Sequence, residues 1–347
     1  MQDLYHEKTV DAQVRAAAAL LRQSRRVVLG AHPLMDGDAV GSMFTLVHAL
    51  RAAGKEVLAV TQDGGSGKYE FLQDGIELCA LEKLPPALSG YDTAVILDVG
   101  AQSRARRVLE RLAPGTRVVN LDHHVDNPGF GDASVVLPDA SSTGEVVYHV
   151  LKEAGLALNH AAAVALFVAV VTDTGRFNHS NSTPESFRIV ASLIEDFGLQ
   201  VSELTQRLYR SKSLGRIRLE AMVAETLETR LDGKIVVARV STEMLLKTGC
   251  DAMDAAEMVT IPKSLGGGML CLMFHEIEAQ LLKCSLRSEG QMPVNEVAAK
   301  FGGGGHKRAA GLQVAGRPVA EVERAIIEAC EVALVQTLGR TGGAIIC

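Results

Sequence analysis

Short runs of apolar and β-branched residues alternate with helical patterns through the first half of this chain, and three of those runs lead directly into an acid or a histidine. Arg26–Ala31 reads as a strand and is followed by His32. Residues 39–53 read as a helix, Glu56–Thr61 as a second strand, and residues 93–98 as a third that closes on Asp98. Arg117–Asp122 reads as a fourth, with His123 and His124 immediately behind it. Strand, helix and strand in this order predict an α/β domain with a mostly parallel sheet flanked by helices. Ligands of such sheets bind beyond the carboxyl ends of the strands, which is where His32, Asp98 and Asp122 fall.

Helical patterns follow at residues 142–154, 160–172 and 184–197. The run from 161 to 171 is apolar throughout and reads as a buried helix, being too short to cross a bilayer, which takes about 20 residues. Residues 201–218 carry Arg207, Arg210, Lys212, Arg216 and Arg218 and read as a mobile connector. Beyond them, strands are expected at 234–240, 269–274 and 280–286, with helices near 293–300 and 319–338. The organisation expected from the sequence is therefore a first domain over 1–200, a connector over 201–218, and a smaller α+β domain over 219–347.

Composition narrows the class of partner. The 347 residues carry a formal charge of -6, which argues against a broad basic surface for long nucleic acid but suits a small phosphorylated substrate. Tryptophan is absent and aromatics make up 4%, too few for the stacking platforms of a single-strand coating protein. Six scattered cysteines with no C-x-x-C pair, and no signal-like start, point to a reducing cytoplasm.

The loop after the first strand reads His32-Pro33-Leu34-Met35-Asp36-Gly37-Asp38. Either acid alone is explained as a helix cap, and Asp98 alone as a strand-end acid. Asp173 ends the apolar helix, where a lone acid opposes the negative end of the helix dipole and a cation would relieve it. Adjacent histidines point in different directions, so one of His123 and His124 ligates and the other has another task. Four separate stretches that converge on one point are what a pair of divalent ions requires, and the pattern suggests a two-metal phosphoesterase site. Carboxylate and imidazole without cysteine suit Mn²⁺ first and Mg²⁺ second, and disfavour structural zinc. Ionised Asp36, Asp38, Asp98 and Asp173 in one pocket are neutralised only by two such ions, since like charges about 4 Å apart repel by several kcal/mol. His6, His48, His149, His160, His179 and His275 lack such neighbours in the sequence and read as surface or core residues.

Taken together, these residues resemble the DHH family of phosphoesterases, named for the run Asp122-His123-His124, in its RecJ-like branch with a DHHA1 second domain. The second-domain hallmark is Phe301-Gly302-Gly303-Gly304-Gly305-His306-Lys307-Arg308-Ala309-Ala310-Gly311, preceded by Ser285-Leu286-Arg287-Ser288. The resemblance spans nearly the whole chain and points to the stand-alone nanoRNase and pAp phosphatase members. Carried over residue by residue, it implies His32 and Asp36 on one ion, Asp38, His123 and Asp173 on the other, and Asp98 bridging both. His124 would contact the scissile phosphate, neutralising charge or donating a proton to the leaving oxygen. Met35 directly precedes Asp36 where relatives commonly have proline, but the ligand spacing is kept.

The activity so implied is hydrolysis of short oligoribonucleotides to mononucleotides, and of 3′-phosphoadenosine 5′-phosphate to AMP, by water activated between two ions. Arg104 is placed to hold a phosphate, although the nearby Arg106 and Arg107 make a solvated face an equal reading. Gly303, Gly304 and Gly305, with His306 and Arg308 behind them and the positive field of Arg287 and Lys307, form a candidate anion-binding concavity. A plain glycine-rich turn is the alternative. Two domains closing on a short substrate would put the active site in an interdomain cleft that admits a few nucleotides and no long duplex. No membrane partner is expected, and a homodimer is compatible with the sequence. The rival activities are a phosphodiesterase for cyclic di-AMP or its linear product pApA and, in another class, a catalytically silent nucleotide- or nucleic-acid-binding protein.

Overall fold

In a computed structural model, which describes residues 2–209, 212–289 and 292–340 and the side chains of these other than 2–10, 306 and 340, the chain divides into two units, 1–211 and 212–347. The first is built on strands β1 (Arg26–Ala31), β2 (Glu56–Thr61), β3 (Leu78–Ala80), β4 (Thr93–Leu97), β5 (Arg117–Asp122) and β6 (Ala133–Val136). All pair in parallel, in the spatial order β3-β2-β1-β4-β5-β6. The order reverses between β1 and β4, and that switch point is where connections depart to opposite sides and leave a crevice at the carboxyl ends.

Val27, Val28 and Leu29 of β1 and Val95, Ile96 and Leu97 of β4 have no exposed surface. Burial on both faces is what makes parallel strands read as continuous apolar runs. The larger core joins one face to helices α1 (Gln2–Gln23), α2 (Gly37–Ala52), α4 (Thr143–Ala154), α5 (His160–Asp173), α6 (Pro184–Phe197) and α7 (Val201–Tyr209). The single turn α3 (Arg106–Leu109) adds Val108 to the other face, beside Val28 and Ile96. Helices α2 and α5 pack unusually close. A Cβ on Gly41 would stand 2.6 Å from the Ala169 nitrogen, so the missing side chain sets their separation.

The stretch read as a mobile connector is mostly helix. Leu204 and Leu208 of α7 join the core of the first unit, and Leu219 and Val223 of α8 (Leu214–Glu225) join a core of the second. Of the basic residues in this stretch, Arg207 and Arg218 lie on the outer faces of these helices, Lys212 precedes α8 and pairs with Glu220 at 2.8 Å, and Arg216 sits in an ion-pair network with Glu220, Asp254 and Glu257. Arg210 lies outside the described residues.

The second unit has strands β7 (Glu228–Arg230), β8 (Ile235–Ser241), β9 (Leu270–Glu278), β10 (Leu281–Ser288), β11 (Gly304–His306) and β12 (Ala309–Ala315), in the order β11-β12-β10-β9-β8-β7. Only β8 and β9 pair in parallel. Short helices α9 (Thr242–Thr248), α10 (Ala252–Glu257) and α11 (Thr260–Lys263) share a core with α8, while α12 (Val294–Ala299) and α13 (Val319–Arg340) cover the other face through Val297, Ile326 and Leu334. The architecture is thus a helix-flanked parallel sheet followed by a smaller α+β unit, as the sequence led us to expect. Among the described residues no helix is long and apolar enough to cross a membrane.

Candidate metal centre

The carboxyl ends of β1, β4 and β5, the first turns of α2 and α4, and the last residue of α5 meet at the switch point. His32 follows β1 and is buried; its Nδ1–H donates to the Pro33 carbonyl at 2.7 Å, which leaves Nε2 3.4 Å from Asp98 Oδ2. Asp98 steps off β4 with φ of 56°, a left-handed conformation that costs a non-glycine residue about 1 kcal/mol or more. Its backbone N–H remains bonded to the Leu121 carbonyl at 3.0 Å, so the strained residue is still anchored to β5. The strand therefore ends one residue earlier than its apolar pattern suggested, and that turn redirects the carboxylate. Asp98 Oδ1 accepts from Thr143 Oγ1 at 3.1 Å and lies 3.9 Å from His123 Nε2.

Asp36 does cap α2, accepting from the backbone N–H of Asp38 and Ala39 at 3.1 Å each. Capping and metal binding are compatible, because both bonds use Oδ1. Asp38, inside the first turn, points inward and is buried. Its Oδ1 accepts from Ser42 Oγ at 2.9 Å and from the Gly144 N–H at 3.0 Å, and its Oδ2 from the Thr143 N–H at 2.7 Å. The N-terminus of α4 is thus aimed at this carboxylate, a favourable arrangement for an anion. His123 donates Nδ1–H to the Ala140 carbonyl at 3.2 Å, and its Nε2 lies 3.7 Å from both Asp38 Oδ2 and Asp173 Oδ2. Asn181 Nδ2 donates to Asp173 Oδ2 at 3.0 Å and holds it at the end of α5.

Donor atoms of His32, Asp36 and Asp98 lie within 4.8 Å of one another, and so do those of Asp38, His123 and Asp173. Asp98 turns Oδ2 toward the first triad and Oδ1 toward the second. A third grouping links Asp98, His123 and His124, but His124 Nδ1 is committed to Asp122 Oδ1 at 2.7 Å. Four carboxylates and two imidazoles in two linked triads form a donor set that fits a pair of hard divalent cations.

The electrostatics show how poorly the cluster tolerates its own charge. Burial, then the charges of Asp98 and Asp173, pushes Asp38 well above the ordinary carboxylate range. Loss of solvent raises Asp173 to about 6, against the opposing pull of His123 and with the support of Asp98 and Asp36. Burial also acts to raise Asp98, but the His32 hydrogen bond and the charges of His32, His124 and His123 overcome it and hold this carboxyl at about 2. His32 is raised by Asp98 in spite of its burial. His124 is likewise lifted against burial, to about 9, by the hydrogen bond and charge of Asp122. Acids in one pocket whose affinities for protons diverge this far mark a site built for added positive charge.

Residues 26–170 match the N-terminal domain of the DHH family, and residues 232–334 match the DHHA1 domain. The chain is 32% identical over 306 residues to the bifunctional oligoribonuclease and PAP phosphatase NrnA of Thermus thermophilus, covering 87% of this chain and 88% of that protein. The chain belongs to the DHH family. A Bacillus subtilis protein of the same description is 27% identical over 83% of this chain and 89% of its own length. The DHH fold is shared over 94% of this chain and 96% of an exopolyphosphatase-related protein from Bacteroides fragilis, with a TM-score of 0.82 and 23% identity.

Several hydrogen bonds at this DHH site escaped the sequence reading. Asp122 anchors His124, Thr143 touches both Asp38 and Asp98, and Asn181 and His179 contact Asp173, the latter through its carbonyl at 3.1 Å. A signal for Thr143 existed: Ser142-x-x-Glu145 is a helix-start pattern, and it places an N-terminus near the sheet end. His48 bonds to the Leu72 carbonyl at 2.9 Å and lies outside the cluster.

Arg104, in the same unit as the cluster, makes no hydrogen bond or ion pair with it among the described residues. Arg104 is exposed on a short 3₁₀ turn, Gln102–Ala105, its backbone carbonyl held by Gln62 at 2.8 Å. In the second unit Arg287, half-buried on β10, donates to the Leu286 and Ala310 carbonyls, and no carboxylate pairs with it among the described residues. Gly304 and Gly305 pair with Gly311 and Ala310 in a tight hairpin. A Cβ on Gly303 would stand 2.3 Å from the Gly311 oxygen, and Gly305 has φ of 136° and would meet the Ala309 oxygen at 2.6 Å. Packing alone therefore requires those two glycines. Gly304 is different, since a Cβ there meets nothing. Arg308 is exposed at the turn, and the His306 side chain lies outside the described residues.

Proposed function

We propose that this DHH protein hydrolyses short oligoribonucleotides to mononucleotides and 3′-phosphoadenosine 5′-phosphate to AMP, using two divalent ions, Mn²⁺ in preference to Mg²⁺. The observation that carries the reading is Asp98, whose two oxygens face separate triads. In this reading His32, Asp36 and Asp98 hold one ion and Asp38, His123, Asp173 and Asp98 the other. Such a pair supplies Lewis acidity at the phosphoryl oxygens and water of lowered pKa. Two imidazoles among the ligands support Mn²⁺ over Mg²⁺.

The protein's own groups do the rest. His124, with its Nδ1–H held by Asp122 Oδ1 at 2.7 Å, gives its Nε2 proton to the leaving oxygen as the P–O bond breaks. Arg104, Arg287, His306 and Arg308 bind the substrate's phosphates, with the close backbone approach that Gly303, Gly304 and Gly305 allow. The names of the similar Thermus and Bacillus proteins support the substrate class, and a formal charge of -6 supports short substrates over long ones.

The test is incubation with Mn²⁺ and a panel of pApA, a 5-mer and a 24-mer RNA, cyclic di-AMP, 3′-phosphoadenosine 5′-phosphate and pyrophosphate, with products resolved by chromatography. Preference for pApA, the 5-mer and the bisphosphate is the expected result. Cleavage of cyclic di-AMP above all others would transfer the protein to second-messenger turnover, and binding without any cleavage would make it a silent binder.

A further inference from the structure

Asp122 ends β5 with no exposed surface, yet its carboxylate belongs to neither triad. A buried carboxylate is stable only if both oxygens find partners. Oδ1 accepts from His124 Nδ1–H at 2.7 Å, and Oδ2 accepts from Asn127 Nδ2 at 2.7 Å. Asn127 is 8% exposed, and its amide is engaged at both ends. The two hydrogens of Nδ2 are shared with Asn120 Oδ1 at 2.9 Å and the Val99 carbonyl at 3.2 Å, while Oδ1 accepts from the Gly129 N–H at 2.8 Å. Every neighbour of Nδ2 is an acceptor and that of Oδ1 is a donor, so a flipped amide loses all four contacts. The Asn127 backbone N–H also closes a turn onto the His124 carbonyl at 3.2 Å.

Three buried polar side chains, Asn120, Asp122 and Asn127, therefore sit at one strand end where apolar residues of similar volume pack at least as stably. Their bonds converge on one outcome. The Asp122 carboxylate, gripped from behind by Asn127, has a single rotational setting, and that setting dictates where the His124 ring lies. We propose that Asn127 is a positioning residue for the reaction: through Asp122 it fixes the His124 ring with Nδ1–H turned inward and Nε2 presented to the phosphodiester. The inference rests on the reading of His124 as proton donor, and on geometry alone for Asn127. The plain competitor is a satisfied core asparagine whose loss merely loosens the fold.

Asn127→Asp separates the two. It keeps the shape and the acceptor for Gly129, and replaces the donor facing Asp122 by a second acceptor. Two substrates are compared, pApA, whose sugar oxygen needs a proton to leave, and a p-nitrophenyl nucleotide diester, whose phenolate leaves without one. The expected result is a kcat on pApA lowered about 10- to 100-fold, with the p-nitrophenyl ester changed by no more than about threefold. KM and bound metal per chain stay at their parent values. His124→Gln, run in parallel, must show the same split. If it slows both substrates alike, the proton-donor reading falls. If His124→Gln splits the substrates and Asn127→Asp slows both, slows neither or loses metal, the Asn127 proposal is overturned while His124 keeps its role. Should Asn127→Asp not fold, Asn127→Ser retains one donor, and a smaller split in the same direction is required of it.

Discussion

The strand-end loops of the first unit and the glycine hairpin of the second both looked like ligand sites in the sequence, but they are built on opposite principles. In the first, buried and half-buried acids crowd together and their proton affinities are driven apart, Asp98 to about 2 and Asp173 to about 6. Packing gives no reason for such a cluster, and only added positive charge relieves it. In the second, Gly303 and Gly305 are required by the hairpin itself, and Gly304 alone is left without a packing explanation. Crowded carboxylates carry an energetic signature of function; glycines do not, because a tight turn and an anion cradle ask the same thing of the backbone.

The largest effect should come from Asp98→Ala, which removes the shared carboxylate and is expected to lower turnover about a thousandfold or more. His306→Ala, in contrast, should raise KM about tenfold and leave metal content unchanged, since it acts on an anion and not on a cation. Equal loss of metal from both variants, measured by elemental analysis, would erase the distinction between the two regions. Chelation comes next. Ions held at a hundred times their dissociation constant stabilise by about 3 kcal/mol, so removing them should lower the melting temperature, and an unshifted curve would contradict the crowded-charge account.

A sign reversal sharpens the point. In the metal-free protein Asp173 has a folded pKa of about 6 against 3.8 for an ordinary aspartate. Between those values the folded state binds more protons than the unfolded one, so stability falls as pH rises through that window, by up to about 3 kcal/mol. Asp173→Asn should lessen that slope, leaving the part due to Asp38, and stabilise the chelated protein at pH 7, yet weaken the metal-loaded one. Urea unfolding at pH 4.5 and 7, with and without metal, reads both effects. The smallest contrast lies in the hairpin. Gly303→Ala should cost about 1–3 kcal/mol by overpacking, whereas Gly304→Ala should stay within about 0.5 kcal/mol. A change in KM for Gly304→Ala would give that amide a binding role that packing does not explain.

Much of the first unit was legible because buried parallel strands show as unbroken apolar runs, such as 27–31 and 94–97. β3, β7 and β11, of three residues each, are too short to show any period, and they lie at or next to the sheet edges. The helices of 201–225 were missed because charge masked the spacing of Leu204, Leu208, Leu219 and Val223. Within the site, ligand-type residues could be found by type and position at strand ends. The hydrogen bonds that Asp122, Asn127, Thr143 and Asn181 make to other site residues could not, because such bonds leave no spacing in the sequence. The left-handed turn at Asp98 was hidden for the same reason: nothing in Leu97-Asp98-Val99 announces it.

The central claim is that Asp98 joins two cation sites. Calorimetric titration of the chelator-treated protein with Mn²⁺ tests it most directly, beside the same titration of Asp98→Ala. Two ions per chain are expected for the parent, and at least one tight site lost in the variant. A parent that takes up one ion, or a variant that still binds two with parental affinity, would contradict it.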